Sequence, residues 1–373
     1  MDTLNKLIGA SNSLGNHYIE EWKQQGGKVV GFFGSHIPEE IIYAAGLLPF
    51  RVRPVGCNQT READVYMSNV NCTFAKCCLE HALGDKFAFL DGLVSMNSCD
   101  HVRRLYDIWR LKSPIPFMHF LSVPHLTHKR AINWYRDELA IFRDAIERHF
   151  EVSVTQDNLA HAIALYNRTR SLLRQLSDML KKDIPPITGR EYLSIVLAGF
   201  SIPKEQYNQL LEELMKEIKG RKPDVRYKTR LLLMGSAFDD SNFAQVIEES
   251  GGLIAADTLS FGSRVYHGIL KGHGDPIGEL AEFYLKQPGC PRMADKANER
   301  LDLVERKIEE FGINGVIYQR IRYCNLWGGE AFLTTKKLEA LGVPFINLER
   351  EYYPTALGTL RTRIEAFIER MSK

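Results

Sequence analysis

Two spacings of apolar residues alternate along this chain. Runs such as "KVVGFF", "FAFLDGLVSM" (87–96), "PFMHFLSVPH" (116–125), "TRLLLMGS", "LIAADTLS", "NGVIYQRI" and "VPFINLER" are nearly continuous, which predicts buried strands. Between them, "EEIIYAAG", "DHVRRLYDIWR", "FAQVIEESGG", "NERLDLVERKIEEFG", "EAFLTTKKLEALG" and "LGTLRTRIEAFIERM" carry apolar residues every three or four positions, which predicts amphipathic helices. Strands alternating with helices predict parallel sheets covered by helices. The expected fold class is therefore α/β, with two parallel-sheet, Rossmann- or flavodoxin-like domains.

From about 129 to 220 the strand pattern stops. "AINWYRDELAIFRDAIERHF" and "NLAHAIALYNRTRSLLRQLSDMLKK" have only the helical period, with a break at "DIPPITGR". This block reads as a helical layer with little obvious chemistry. The expected division is an N-terminal α/β domain with a leading helix (1–128), a helical connecting region (129–222) and a C-terminal α/β domain (223–373), with "GRKPDVRYK" as the hinge. In "GFFGSHIPEE", Ser35 is expected to cap a helix, Pro38 to occupy its first turn, and Glu39 and Glu40 to face its positive end.

Composition narrows the class. The chain has 373 residues, 45% hydrophobic and 25% charged, with a net charge of +2. Interspersed charge argues against a nucleic-acid groove or a polybasic membrane patch. No leading apolar segment and no run of 18 apolar residues is present, so a cytoplasmic protein without a membrane span is expected. Seven cysteines, an odd number, do not read as a disulfide framework in such a chain.

Three of the cysteines occupy similar places. "DGLVSMNSC" leads from a strand to Cys99 before a helix, "NGVIYQRIRYC" does the same for Cys324, and Cys72 opens the helix of "NCTFAKCCLEHALG". Ligand sites in open parallel sheets lie at strand carboxyl ends, and a helix N-terminus favours a thiolate. Three such thiolates could hold one soft metal centre in the cleft between the domains. Buried structural cysteines are the alternative, because the spacing matches no local C-x-x-C run.

The blocks "GFFGSHIPEEIIYAAGLLPFRV", "FLDGLVSMNSCDHVRRLYDIW", "NGVIYQRIRYC", "GVPFINLEREY" and "LGTLRTRIEAFIE" resemble, in order, those of the family uniting 2-hydroxyacyl-CoA dehydratase and ATP-dependent benzoyl-CoA reductase subunits. The resemblance covers nearly the whole chain. It implies a [4Fe-4S] cluster on Cys72, Cys99 and Cys324 in the interdomain cleft, with one iron left open. It implies a paralogous partner subunit, in a heterodimer or heterotetramer, and a separate ATP-hydrolysing iron–sulfur activator. It also implies anaerobic radical chemistry on an acyl-CoA or aryl-CoA thioester, as an oxidoreductase or a lyase. The absence of a G-x-x-x-x-G-K-[ST] loop agrees with ATP being used by another protein.

In the family the loop of Ser35 and His36 faces the cluster and substrate. Ser35 and Glu40 are therefore the catalytic candidates, each against a purely helix-start role. His101 is read as structural. Cys57, Cys77 and Cys78 are read as core thiols. Cys290 stands alone in "QPGCPRM", without the C-x-C of double-cubane relatives, so no double cubane is expected. Two other functions compete with the leading one: an electron-relay or structural subunit, and a cluster-free α/β binding protein.

Overall fold

Valine, isoleucine, leucine and phenylalanine runs bury both faces of a strand, and such strands pair in parallel under helices. A computed structural model describes residues 1–223, 226–272, 274–353 and 357–371, and two residues of the expected hinge, 224 and 225, lie outside them. The chain opens with helices α1 (Asp2–Ser11) and α2 (His17–Gln24), the second capped by the Asn16 side chain. Strand β1 (Val29–Phe32), helix α3 (Glu39–Ala44) and strand β2 (Leu48–Arg51) follow. Helix α4 (Thr73–Leu83), strand β3 (Gly92–Met96), helix α5 (Asp100–Lys112) and strand β4 (Phe117–Leu121) complete the first unit. Its sheet is wholly parallel in the order β2-β1-β3-β4.

Four helices come next: α6 (Lys129–Phe150), α7 (Gln156–Met179), α8 (Gly189–Ala198) and α9 (Lys204–Glu217). The break before α8 ends in a capping box between Thr188 and Glu191. The second unit runs β5 (Thr229–Gly235), α10 (Ser241–Glu249), β6 (Gly252–Asp257), α11 (Pro276–Leu285), α12 (Ala297–Phe311), β7 (Gly315–Ile321), α13 (Asn325–Ala340), β8 (Phe345–Arg350) and α14 (Leu357–Met371). Its sheet repeats the first as β6-β5-β7-β8, all parallel. The α/β two-domain architecture expected from the apolar pattern is thus present.

Two readings of local structure are corrected. Phe87–Asp91 lie outside β3, because Phe87 packs on Trp109 and the Asp91 carboxylate accepts from the Val29 backbone N–H at 2.9 Å. Ser35 caps nothing: the N-cap of α3 is Pro38, three residues further on.

Successive strand residues serve different cores. Val29 and Leu93 face one that runs on into the helical block and the second sheet. Val30 and Val94 face another, closed by α6 and by Ile277, Leu280 and Leu285 of α11. Helix α11 therefore packs on α6 and shares a core with β1 and β3, although it follows β6 in sequence.

The repeated strand order has a geometric result. In each sheet the order reverses between the first and third strands in sequence, β1 and β3 or β5 and β7, and a crevice opens there at the carboxyl ends. These crevices lie beside Gly34-Ser35 after β1 and Gly235-Ser236 after β5. Both glycines have positive φ, +93° and +127°. A Cβ at Gly34 would stand 2.7 Å from the Met96 sulfur, and one at Gly235 would stand 1.7 Å from the Gln319 carbonyl oxygen. Only glycine allows both sharp exits.

Candidate functional site

The two crevices face each other across one cavity of about 870 Å³, open mouth included. Its walls come from the segments after β1 (Gly34, Ser35, His36), β3 (Ser98, Cys99), β5 (Ser236, Ala237) and β7 (Cys324, Trp327), with Cys72 added from the head of α4. The three expected cysteines therefore meet at one cavity. Each is the N-cap of its helix: Cys72 of α4, Cys99 of α5 and Cys324 of α13.

The protonation expected of these thiols is corrected. Burial pushes all three up, Cys99 to about 11, and outweighs the pull of the first-turn N–H groups of residues 74 and 75, 101 and 102, and 326 and 327. The N–H groups are oriented toward the sulfurs, yet none completes a strict capping hydrogen bond. Without metal the thiols are neutral, and metal binding would release their protons.

Three thiols on one cavity are the donor type that an iron–sulfur cluster takes. Among the described residues no group of three His, Cys, Asp or Glu side chains is arranged to hold a single metal ion. A four-iron cluster takes each thiolate on a different iron, so its ligands need not converge on a point. The N–H groups at three helix starts would then hydrogen-bond the thiolate sulfurs.

His101 braces the set. It is buried, its Nε2–H donates to the Tyr323 carbonyl at 2.9 Å, and its Nδ1 lies 2.8 Å from the Asn71 side-chain oxygen. Asn71 precedes Cys72 and Tyr323 precedes Cys324, so one imidazole near Cys99 ties all three cysteine segments. Its expected structural role is what the contacts describe. Tyr323 itself holds a positive φ of 65°.

A second cavity, about 640 Å³, shares Gly34, Ser35, Arg51 and Arg264 with the first. The helical block lines much of it through Tyr166, Arg170, Lys204 and Tyr207, a contribution that sequence reasoning missed. Lys204 pairs with Glu39 at 3.2 Å. Arg51 and Arg264 are both buried, and among the described residues neither forms an ion pair; Arg51 donates to the Ser260 carbonyl at 2.5 Å and Arg264 to the Gly289 carbonyl at 2.7 Å. Burial lowers the pKa of both, and an anionic occupant of either cavity would offset the cost of holding these charges in the interior.

The remaining candidates divide. Ser35 lines both cavities. Glu40 lines neither: it is fully buried, salt-bridged to Arg170, and accepts from the Tyr284 hydroxyl at 2.7 Å. Its neighbour Glu39 is the carboxylate that reaches the second cavity. The His36 imidazole lines the cysteine cavity, lacks a partner at Nε2, and is held neutral by burial with Arg292 and Arg264 adding to the effect. Cys57, Cys77 and Cys78 are core residues, as expected. Glu330, after Cys324, does not shape the cavity but pairs with Arg300 at 2.7 Å. No helix among the described residues is long and apolar enough to cross a membrane.

The chain is similar in sequence to known proteins. The chain is 23% identical to a subunit of the benzoyl-CoA reductase of Thauera aromatica over 338 residues, spanning 88% of this chain and 87% of the relative. It is 24% identical to the beta subunit of (R)-2-hydroxyglutaryl-CoA dehydratase of Acidaminococcus fermentans, over 94% of each chain. It is 22% identical to the beta subunit of (R)-phenyllactyl-CoA dehydratase of Clostridium sporogenes, over 95% of this chain and 94% of the relative. The profile of the 2-hydroxyglutaryl-CoA dehydratase D-component family matches residues 34–371, a stretch that contains both glycine–serine exits and all three cysteines, and this chain belongs to that family.

Proposed function

We propose that this chain is a [4Fe-4S] subunit of a radical enzyme acting on CoA thioesters, with the cluster held by Cys72, Cys99 and Cys324. The observation that carries the proposal is their convergence: three cysteines far apart in sequence each head a helix on one cavity between facing crevices. When bound, the cluster supplies single electrons at low potential. The partners in this reading are a paralogous subunit and an ATP-hydrolysing iron–sulfur activator, and the substrate is an acyl-CoA or aryl-CoA.

The chain's own residues prepare the site. A thioester accepts an electron only with difficulty, and the radical formed needs a cavity that excludes water. Phe33, Phe74, Phe261 and Trp327 supply apolar walls. The guanidiniums of Arg51 and Arg264, in the wall between the cavities, balance the negative charge of thiolates on one side and of an electron-rich substrate on the other. Ser35, in the same wall, offers a hydroxyl to a substrate oxygen. Glu40 is a positioning residue that holds Arg170 at the edge of the second cavity.

The test is iron and sulfide analysis of the full chain, purified without oxygen. The expected result is about four irons per chain, lost in Cys72→Ala, Cys99→Ala and Cys324→Ala and kept in Cys57→Ala and Cys78→Ala. Full iron in all three ligand variants would overturn the assignment. Turnover of candidate CoA thioesters with the partner subunit, activator, reductant and ATP then identifies the reaction.

A further inference from the structure

Cys57, Cys77 and Cys78 sit in the core, but Cys290 lines the cavity shared by Cys72, Cys99 and Cys324. Its loop is braced from two directions. Arg292 donates through Nε to the Asn97 carbonyl at 3.0 Å, through Nη2 to the Asn97 side chain at 3.1 Å, and through Nη1 to the Pro124 carbonyl at 2.8 Å. Asn97 belongs to the segment that delivers Cys99. From the other side, Arg300 donates through Nη1 to the carbonyls of Cys290 and Met293 at 3.1 and 2.8 Å. The same guanidinium grips Glu330 of α13 at 2.7 and 2.9 Å, and α13 is the helix that Cys324 heads. Arg264 holds the adjoining Gly289 carbonyl and stands beside the Cys290 sulfur. Three buried arginines thus fix one thiol between the Cys99 segment and the Cys324 helix. Cys290, Cys99 and Cys324 thus line one cavity.

We propose that Cys290 gives the cluster a fourth thiolate, so that in this chain the cluster passes electrons without binding substrate itself. The inference rests on the cluster assignment made above. Ligation forms one iron–sulfur bond, releases the thiol proton to solvent and changes no oxidation state. Electrons then cross the shared wall of Arg51, Arg264 and Ser35 to whatever occupies the second cavity.

The experiment uses the full chain, reconstituted without oxygen from ferrous iron and sulfide and then reduced. Metal analysis comes first, and paramagnetic resonance spectra follow, with and without cyanide as the exogenous iron ligand. Cyanide is expected to leave the wild-type spectrum unchanged. Cys290→Ala is expected to keep its iron, to show a shifted spectrum, and to shift again with cyanide. A wild-type spectrum that moves with cyanide overturns the fourth ligand whatever the variant does. So does a Cys290→Ala spectrum that superimposes on that of the wild type. Wild-type protein that takes up no iron overturns the cluster assignment instead, and the metal analysis separates that failure from the other two.

Discussion

His101 and Tyr323 are joined by a 2.9 Å hydrogen bond that spans the two α/β units. The bond connects the first turn of α5, headed by Cys99, to the residue before Cys324. Because the same ring meets Asn71, its loss removes one direct link among the three cysteine segments. His101→Ala should lower iron affinity by about 10–100-fold, the usual effect of removing a group that orients metal ligands. Iron titration with a competing chelator measures this. An unchanged affinity would make the imidazole a packing residue only.

Ser35 reaches both cavities and does not cap α3. Ser35→Ala should therefore leave thermal stability and iron content unchanged while lowering turnover of the assembled enzyme about tenfold, which corresponds to one hydrogen bond of about 1.4 kcal/mol. A variant with normal turnover and lower stability would count against the substrate contact.

The Glu40–Arg170 pair is buried on both sides. Glu40→Ala leaves the guanidinium uncompensated in the interior and should cost about 3–5 kcal/mol in denaturant unfolding. The double variant Glu40→Ala/Arg170→Met removes that charge and should recover a large part of the loss. If the single variant is as stable as the parent, the pair contributes nothing to the fold.

Stability should also depend on Glu248, where α10 meets α8. Burial pushes its carboxyl up to about 7, although the Gly189 and Arg190 backbone N–H groups donate to it at 2.8 and 3.2 Å. The folded state then holds the proton more tightly than the unfolded chain does. This contribution is fully present below pH about 4.5 and is lost as pH rises through about 7, to a total on the order of 3 kcal/mol. Relative to Glu248→Gln, the wild type should lose stability between pH 5 and pH 8. Parallel curves for the two proteins would remove Glu248 as the cause.

Much of the architecture was written in local patterns. Continuous apolar runs at 29–32, 92–96 and 315–321 became parallel strands because nothing but a doubly covered sheet buries both of their faces. The sequence placed Cys99 and Cys324 at helix starts beyond strands and Cys72 at a helix start of its own, and the three line one cavity. What stayed hidden depends on distant partners. Arg170 and Lys204 look like ordinary helix-surface residues until α7 and α9 set them against Glu40 and Glu39. The thiol chemistry was misjudged because a helix start is visible in sequence and the burial that outweighs it is not. Cys290 gave no local signal either, since its position is fixed by Arg292 and Arg300 reaching separate parts of the chain.

The seat of α11 bears on how the protein is made. Ile277, Leu280 and Leu285 close a core most of whose other members are read out far earlier, among them Val30, Val94, Tyr135 and Phe142. A chain leaving the ribosome as far as α9 already holds Cys72 and Cys99 but lacks the α11 side chains that pack on α6 and α7. Neither Cys324 nor the arginine braces exist at that stage. The nascent N-terminal half cannot finish folding as an independent unit, contrary to the usual order of domain-by-domain synthesis. On the proposed cluster assignment, insertion of iron would then follow translation.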